Sequence, residues 1–118
     1  VVRIRYREIS ALFTGDIKKQ TEGYLSHVFG DFLPSDIIKV PHHGSKTSST
    51  AALVRATTAS PTDHHIALIS AGKDNKFDHP HPVVVRRWQE SGAQIKLTTN
   101  GAVWLRTNGQ ELEFVDWR

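Results

Sequence analysis

Asp36-Ile37-Ile38-Lys39-Val40-Pro41-His42-His43-Gly44-Ser45 is the stretch on which the architecture turns. Its β-branched run is too short for a helix and reads as a buried strand. Pro41 has no amide hydrogen and stops that strand, so the histidine pair leaves its C-terminal end directly. Upstream, residues 1–7 alternate at period two. Residues 9–13 form a second strand that ends at Thr14-Gly15-Asp16. The run 17–29 then places Ile17, Tyr24, Leu25 and Val28 on one helical face, closed by Gly30. Asp16 thus sits at a strand-to-helix junction.

Downstream, Ser48 or Ser49 caps a helix through Thr58 with Leu53, Val54 and Ala56 inward, and Pro61 breaks the chain after it. Residues 65–70 are another buried strand, and residues 71–80 a polar loop. Pro82 opens a helix to Ser91, ended by Gly92, with Val84, Val85 and Trp88 inward. The segments 94–98, 102–107 and 110–117 alternate around Asn100-Gly101 and Asn108-Gly109, a hairpin signature that predicts an antiparallel meander. Trp104 and Trp117 fall in these strands and, with Trp88, read as core or sheet-face residues. No repeat or linker divides the sequence, so residues 1–118 are expected to form a single α/β unit.

Composition narrows the chemistry. Fifteen Lys and Arg against twelve Asp and Glu give 118 residues a net charge of +3, which suits a phosphate-bearing partner without identifying one. There is no Cys, which excludes thiolate zinc sites, disulfides and thiol nucleophiles. No apolar run approaches the ~20 residues of a membrane-spanning helix. The glycines form neither a phosphate-binding P-loop nor a dinucleotide fingerprint, and no Gly-x-Ser-x-Gly elbow occurs. The alternation begins at Val1 without an initiator Met, and the chain holds no Met at all. Both features lead to the expectation of a segment from a longer protein.

Three loops at strand ends carry imidazole or carboxylate groups: Asp16, the His42-His43 pair, and His79 with His81. In layered α/β folds, sites assemble where such loops converge. Zinc and manganese accept this donor set, and a carboxylate such as Asp16 can bridge two cations. Each group also has a plain structural role open to it. Asp16 can cap the following helix, the histidine pair can line an exposed turn, and His79-Pro80-His81-Pro82 can stiffen a loop. Lys39, Lys46, Lys73 and Lys76 flank the same loops, where a phosphate needs positive charge.

The segments Leu12–Ile17, Lys39–Ser49 and Ile69–Pro82, above all Pro41-His42-His43-Gly44-Ser45 and the Asn75 loop leading to His79-Pro80-His81-Pro82, resemble the metallo-β-lactamase-like domain of ComEC-type competence proteins over residues 9–101. The resemblance implies the C-terminal αβ half of an αββα sandwich, a hydrolase fold. It also implies a DNA-uptake protein used in transformation, whose domain degrades the strand that is not imported, using two divalent metal ions, zinc or manganese. It further implies a soluble domain of a bacterial inner-membrane protein, on the non-cytoplasmic face. On this pattern Asp16 is the bridging carboxylate, and His79 with one of His42 and His43 supplies imidazole. His43 is taken as that ligand. His42 then orients substrate or protonates the leaving oxygen, Ser45 fixes the turn or touches phosphate, and Lys46, Asn75 and His81 meet substrate.

Two departures bear on this expectation. The family's His-x-Asp-x-Asp-His-type motif, which supplies most first-metal ligands, is not in the sequence, so the fragment is expected to bind metal weakly and to be inactive by itself. Asp78 stands where the family more usually has Gly. The other expectations kept open are a non-catalytic nucleic-acid-binding module of the same fold and a hydrolase of small substrates. The expected partners are DNA, the rest of the domain, and a second copy of the fragment.

Overall fold

Leu12, Ile38, Ala67 and Ile95 stand opposite one another on four adjacent strands, and this apolar row decides which face of the sheet is buried. The computed structural model describes residues 1–60, 62 and 64–116. Its main sheet has the spatial order β1 (Val2–Tyr6), β2 (Ile9–Phe13), β3 (Ile37–Lys39), β4 (Ile66–Ile69), β5 (Gln94–Leu97). β1 is antiparallel to β2, and each later strand is parallel to its predecessor. Parallel neighbours need a crossover. The three crossovers contain α1 (Lys19–Val28), α2 (Ala51–Thr57) and α3 (Pro82–Glu90).

All three helices cover the Leu12 face. Leu25, Leu33, Leu53 and Ala56 pack on Leu12, while Val54, Val84 and Trp88 pack on Ile38, Val40, Ala67 and Ile69. Burying this set supplies the main driving force for folding. The opposite face has a different cover. A hairpin of β6 (Leu105–Thr107) and β7 (Leu112–Phe114) reaches the β1–β2 turn, where the Glu8 amide donates to the Gly109 carbonyl at 2.9 Å. Its other end reaches β5, where Lys96 Nζ lies 4.1 Å from the centre of the Phe114 ring. Ile9 and Ile66 are buried on this face, but Val2, Ile4, Tyr6 and Phe13 remain exposed.

The α/β architecture agrees with the sequence expectation, and three local corrections follow from packing. α1 begins at Lys19, and its fully buried residue is Glu22, while Tyr24 and Val28 face solvent. The Glu22 carboxylate accepts the amides of Ser49 (2.6 Å) and Thr50 (2.7 Å), and this sets the rotation of the helix. The cap of α2 is Thr50, whose hydroxyl accepts the Leu53 amide at 3.3 Å, because Ser48 and Ser49 are buried in the preceding turn. The tail is not a three-stranded meander. β5 joins the main sheet parallel to β4, residues Thr98–Asn100 form a 3₁₀ turn in place of a hairpin, and the antiparallel pairing of the tail is that of β6 with β7. Trp88 is core, as expected, but Trp104 is exposed. The expectations for Pro61 and Trp117 lie outside the described residues.

Replacing Glu22 removes the acceptor for two amides at the start of α2. Glu22→Ala is expected to lower unfolding free energy by about 3 kcal/mol, since hydrogen bonds to a charged acceptor are worth about 1.5–3 kcal/mol each. Urea unfolding followed by Trp fluorescence measures this; a loss under about 1 kcal/mol would show that α1 does not depend on that carboxylate.

Candidate functional site

The strand register brings the ends of β2, β3 and β4 to one edge of the sheet, and backbone bonds tie their loops together. The His42 amide donates to Gly15 O at 3.0 Å, and the His81 amide to Gly44 O at 2.9 Å. The Thr14 hydroxyl donates to Lys39 O at 2.5 Å. Residues Pro41–Gly44 form a 3₁₀ turn in which His42 (φ 47°), His43 (φ 55°) and Gly44 (φ 79°) are all left-handed. Three such residues in succession reverse the chain sharply, which turns both imidazoles out over the sheet edge.

Asp16 and His43 meet. The His43 Nδ1 lies 2.6 Å from the Ser70 carbonyl, which can only accept, so that nitrogen carries the hydrogen. In the neutral ring Nε2 then presents a lone pair, and it faces Asp16 Oδ1 at 3.4 Å. Two acceptors in that position repel unless a proton or a cation lies between them. This is the arrangement in which a backbone carbonyl fixes the tautomer of a metal-binding imidazole.

His42 and His79 form a second contact, edge to face with ring centres 5.9 Å apart. His42 Nδ1 is 3.4 Å from the Thr47 hydroxyl, which is 3.0 Å from that of Ser45. Ser45 is buried, and its oxygen also accepts the Thr47 amide at 3.2 Å. Asn75 organises the loop before His79. Its Nδ2 donates to the carbonyls of Gly72 (2.9 Å) and His79 (2.6 Å), and its Oδ1 accepts the amides of Phe77 (3.2 Å) and His79 (3.0 Å). The His81 ring accepts the Val83 amide at 3.3 Å and so caps α3. Lys46 is exposed. A cleft of about 280 Å³ opens between His43, Ser70, Asn75, Phe77 and His79.

Electrostatics follows the same geometry. Burial lowers the pKa of His79, and the neighbouring His42, His43 and His81 lower it further, against the opposing carboxylate of Asp78. Lys39, half-buried at the end of β3, is also lowered by burial, with Asp16 acting in the opposite sense. Lys39 therefore stands within the field of the Asp16 carboxylate. Thr47 and the Ser70 carbonyl belong to this neighbourhood without having been assigned a role from sequence, whereas Lys39 was expected there as a cation beside the histidine turn.

Among the described residues, no group of three or more His, Asp or Glu side chains is arranged to hold a metal ion. Zinc sites take three or four protein ligands. Asp16 and His43 thus fit part of a first coordination shell and cannot complete one. Among the described residues, no helix is long and apolar enough to cross a membrane.

Fold and site together define an α/β unit with a carboxylate and imidazoles gathered at the C-terminal edge of a parallel sheet. The chain is similar to ComE operon protein 3 of Bacillus subtilis, 33% identical over 99 residues that make up 83% of this chain and 12% of that protein. It is also similar to Recombination protein 2 of Haemophilus influenzae, 35% identical over 89 residues (75% of this chain, 10% of that protein), and to Competence protein ComA of Neisseria gonorrhoeae, 30% identical over 98 residues (83% and 14%). The chain thus spans about an eighth of the length of these relatives. No protein-family model and no solved structure matches it.

The contact between His42 and His79 makes a pH prediction. With its folded pKa below the ordinary 6.5, His79 binds fewer protons than in the unfolded chain in the interval between the two values. Its contribution is therefore destabilising as pH falls through that interval and absent above it. An NMR titration should place the His79 midpoint below 6.5, and His42→Ala should raise it, because a neighbouring positive charge and part of the burial are removed. An unchanged midpoint would show that the two rings do not interact in solution.

Proposed function

We propose that this chain is the C-terminal αβ half of a metal-dependent phosphodiesterase domain that acts on DNA during uptake, within a larger membrane protein. The observation that carries the chemical reading is the Asp16–His43 pair, with Nδ1 of His43 committed to the Ser70 carbonyl and its Nε2 turned toward the carboxylate. A divalent cation between them would resolve the repulsion of two acceptors. His79, whose pKa is lowered by burial and by the neighbouring histidines, would add a further imidazole, and His42, steadied by Thr47, would face the scissile phosphate or its leaving oxygen. The remaining ligands would come from outside this chain. Zinc or manganese would there polarise the phosphate and supply a nucleophilic water at neutral pH. The competence in the name of the gonococcal relative, and the similarity spread over most of this chain, support the DNA-uptake setting.

One observation favours a second reading, a nucleic-acid-binding module without chemistry: the described residues hold no complete ligand set. Calorimetry separates the two. Under the first reading zinc binds weakly and reversibly, and Asp16→Ala or His43→Ala weakens it by about tenfold or more, while the chain by itself cuts neither single-stranded nor duplex DNA with manganese present. Equal zinc affinity in all three proteins would favour the second reading. Cleavage by the isolated chain, abolished by Asp16→Ala, would show that the site is already whole.

The exposed apolar row bears on the missing ligands. Val2, Ile4 and Phe13 line the sheet face opposite the helices, and such a strip is the surface on which a second αβ layer would pack. In isolation the chain is then expected to pair through this face with a second copy. Sedimentation at micromolar concentration should show a dimer that Ile4→Lys returns to monomer; a wild-type monomer that binds no hydrophobic dye would overturn the missing-layer reading.

A further inference from the structure

His42 and His43 are neighbours in sequence but meet different partners. Both are left-handed, at φ of 47° and 55°, and the Ser45 amide closes their turn by donating to His42 O at 2.9 Å. Successive side chains on a helical turn of either hand stand about 100° apart. One ring therefore reaches the Ser70 carbonyl and the other the Thr47 hydroxyl. Thr47 lies on the surface, yet its place is set by backbone bonds. Its carbonyl accepts the Lys19 amide at 3.1 Å, where α1 begins, and its own amide donates to the Ser45 hydroxyl oxygen at 3.2 Å.

Hydrogen-bond accounting gives the direction of the hydroxyl chain. Ser45 is buried, and its oxygen already accepts the Thr47 amide. Among the described residues, the acceptor within reach of its own hydrogen is the Thr47 hydroxyl, 3.0 Å away. A buried hydroxyl that donates nothing is costly, so Ser45 donates to Thr47. The Thr47 oxygen, having accepted that hydrogen, turns its own toward His42 Nδ1 at 3.4 Å. A neutral imidazole carries one hydrogen, and with Nδ1 accepting, it sits on Nε2. His43 is the reverse case, because the Ser70 carbonyl beside its Nδ1 can only accept.

We propose that the two adjacent histidines are held in opposite neutral tautomers, His43 with its hydrogen on Nδ1 and His42 with its hydrogen on Nε2, and that Thr47 is the positioning residue that sets the second. His43 then presents a lone pair toward Asp16, which suits a cation. His42 presents an N–H, which suits an oxygen that can only accept, such as a phosphoryl oxygen, and it has no lone pair left for a metal. The tautomers rest on hydrogen bonding alone. The phosphoryl partner rests on the phosphodiesterase reading above and narrows it, because in this form His42 donates to the substrate and does not serve as a base.

NMR correlation of ring nitrogens with ring protons in the ¹⁵N-labelled 118-residue chain reads each tautomer directly, with a chelator present and at about pH 8.5, where an ordinary imidazole is neutral. Wild type should show His42 predominantly as Nε2–H and His43 as Nδ1–H. Thr47→Val, of nearly the same shape, should lower the His42 ratio of Nε2–H to Nδ1–H by about two- to tenfold, the equilibrium factor of one ordinary hydrogen bond, and leave His43 unchanged. Thr47→Ser should restore the ratio, and Ser45→Ala should lower it by removing the donor that directs Thr47. His42 found as Nδ1–H in wild type, or a ratio untouched by Thr47→Val, would overturn the assignment and leave the metal reading, which rests on Asp16 and His43, standing. A change of the same size at His43 would show that Thr47 merely supports the turn, which also overturns its positioning role. His43 found as Nε2–H would overturn the proposal and the metal reading together.

Discussion

Gly44 has no side chain, and the approach this allows holds the candidate site together. A Cβ at that position would lie 2.7 Å from Cβ of Pro80 and 3.1 Å from its Cα. Those distances are too short for any residue but glycine, and φ of 79° is one that other residues adopt at a cost. The turn after β3 can therefore rest directly on the loop before α3, where the His81 amide meets the Gly44 carbonyl. Parallel pairing brings these loops to the same sheet edge, but only the bare glycine lets them touch. Without that contact His79 would stand off from His42, and the electrostatic coupling among the imidazoles would fall away.

Non-glycine residues in the loops at the site are left-handed as well, among them His42, His43, Asp74 and Asp78. Each costs roughly 1–2 kcal/mol relative to ordinary backbone, and the surrounding hydrogen bonds offset it. For the histidines the compensation is local. The His42 amide is taken by Gly15, and the His43 ring by Ser70. For Asp78 it comes from Asn75, whose side chain bonds both sides of the turn. The conformation at Asp78 is the one glycine holds without strain, and Asp is among the residues that tolerate it best. The left-handed turn that precedes His79 is thus held with an Asp in it, at a small conformational cost.

How much of this was legible in the sequence depended on where the information is stored. Strands such as Ile37-Ile38 and Ile66–Ile69 are written in side-chain type, and the three loops that carry Asp16, His42-His43 and His79 follow from where those strands stop. The pairing of Asp16 with His43 was only partly legible, since the group that orients the ring is a backbone carbonyl and any residue at position 70 would present one. The inward face of α1, read as Tyr24 and Val28 beside Leu25, was missed for the opposite reason, since its buried residue is Glu22. A carboxylate on a helix reads as solvent-facing, and only the amides of Ser49 and Thr50, 27 and 28 residues away, make its burial favourable. The strand at 94–98 was legible but its partner was not, because Asn100-Gly101 signals a hairpin locally while the long-range pairing of Gln94–Leu97 with β4 prevails.

The two faces of the sheet divide the work. On the helical face, Trp88 donates its ring N–H to the Ser49 hydroxyl at 3.1 Å, and Arg87 binds the Ser49 carbonyl, so α3 grips the same turn that Glu22 holds from α1. That turn directly follows the His42-His43 segment, with the Ser48 hydroxyl bonded to Pro41 O at 2.9 Å. The histidines are thereby mounted on a buried polar network, and such satisfied networks rigidify what they support. Among the described residues, the other face carries no comparable buried network. It offers an apolar strip at β1 and β2, lysines on β3 and β5, and aromatic rings at the hairpin. Rigidity thus lies behind the Asp16–His43 edge, set by the fold's own hydrogen bonds, and open surface lies in front of it.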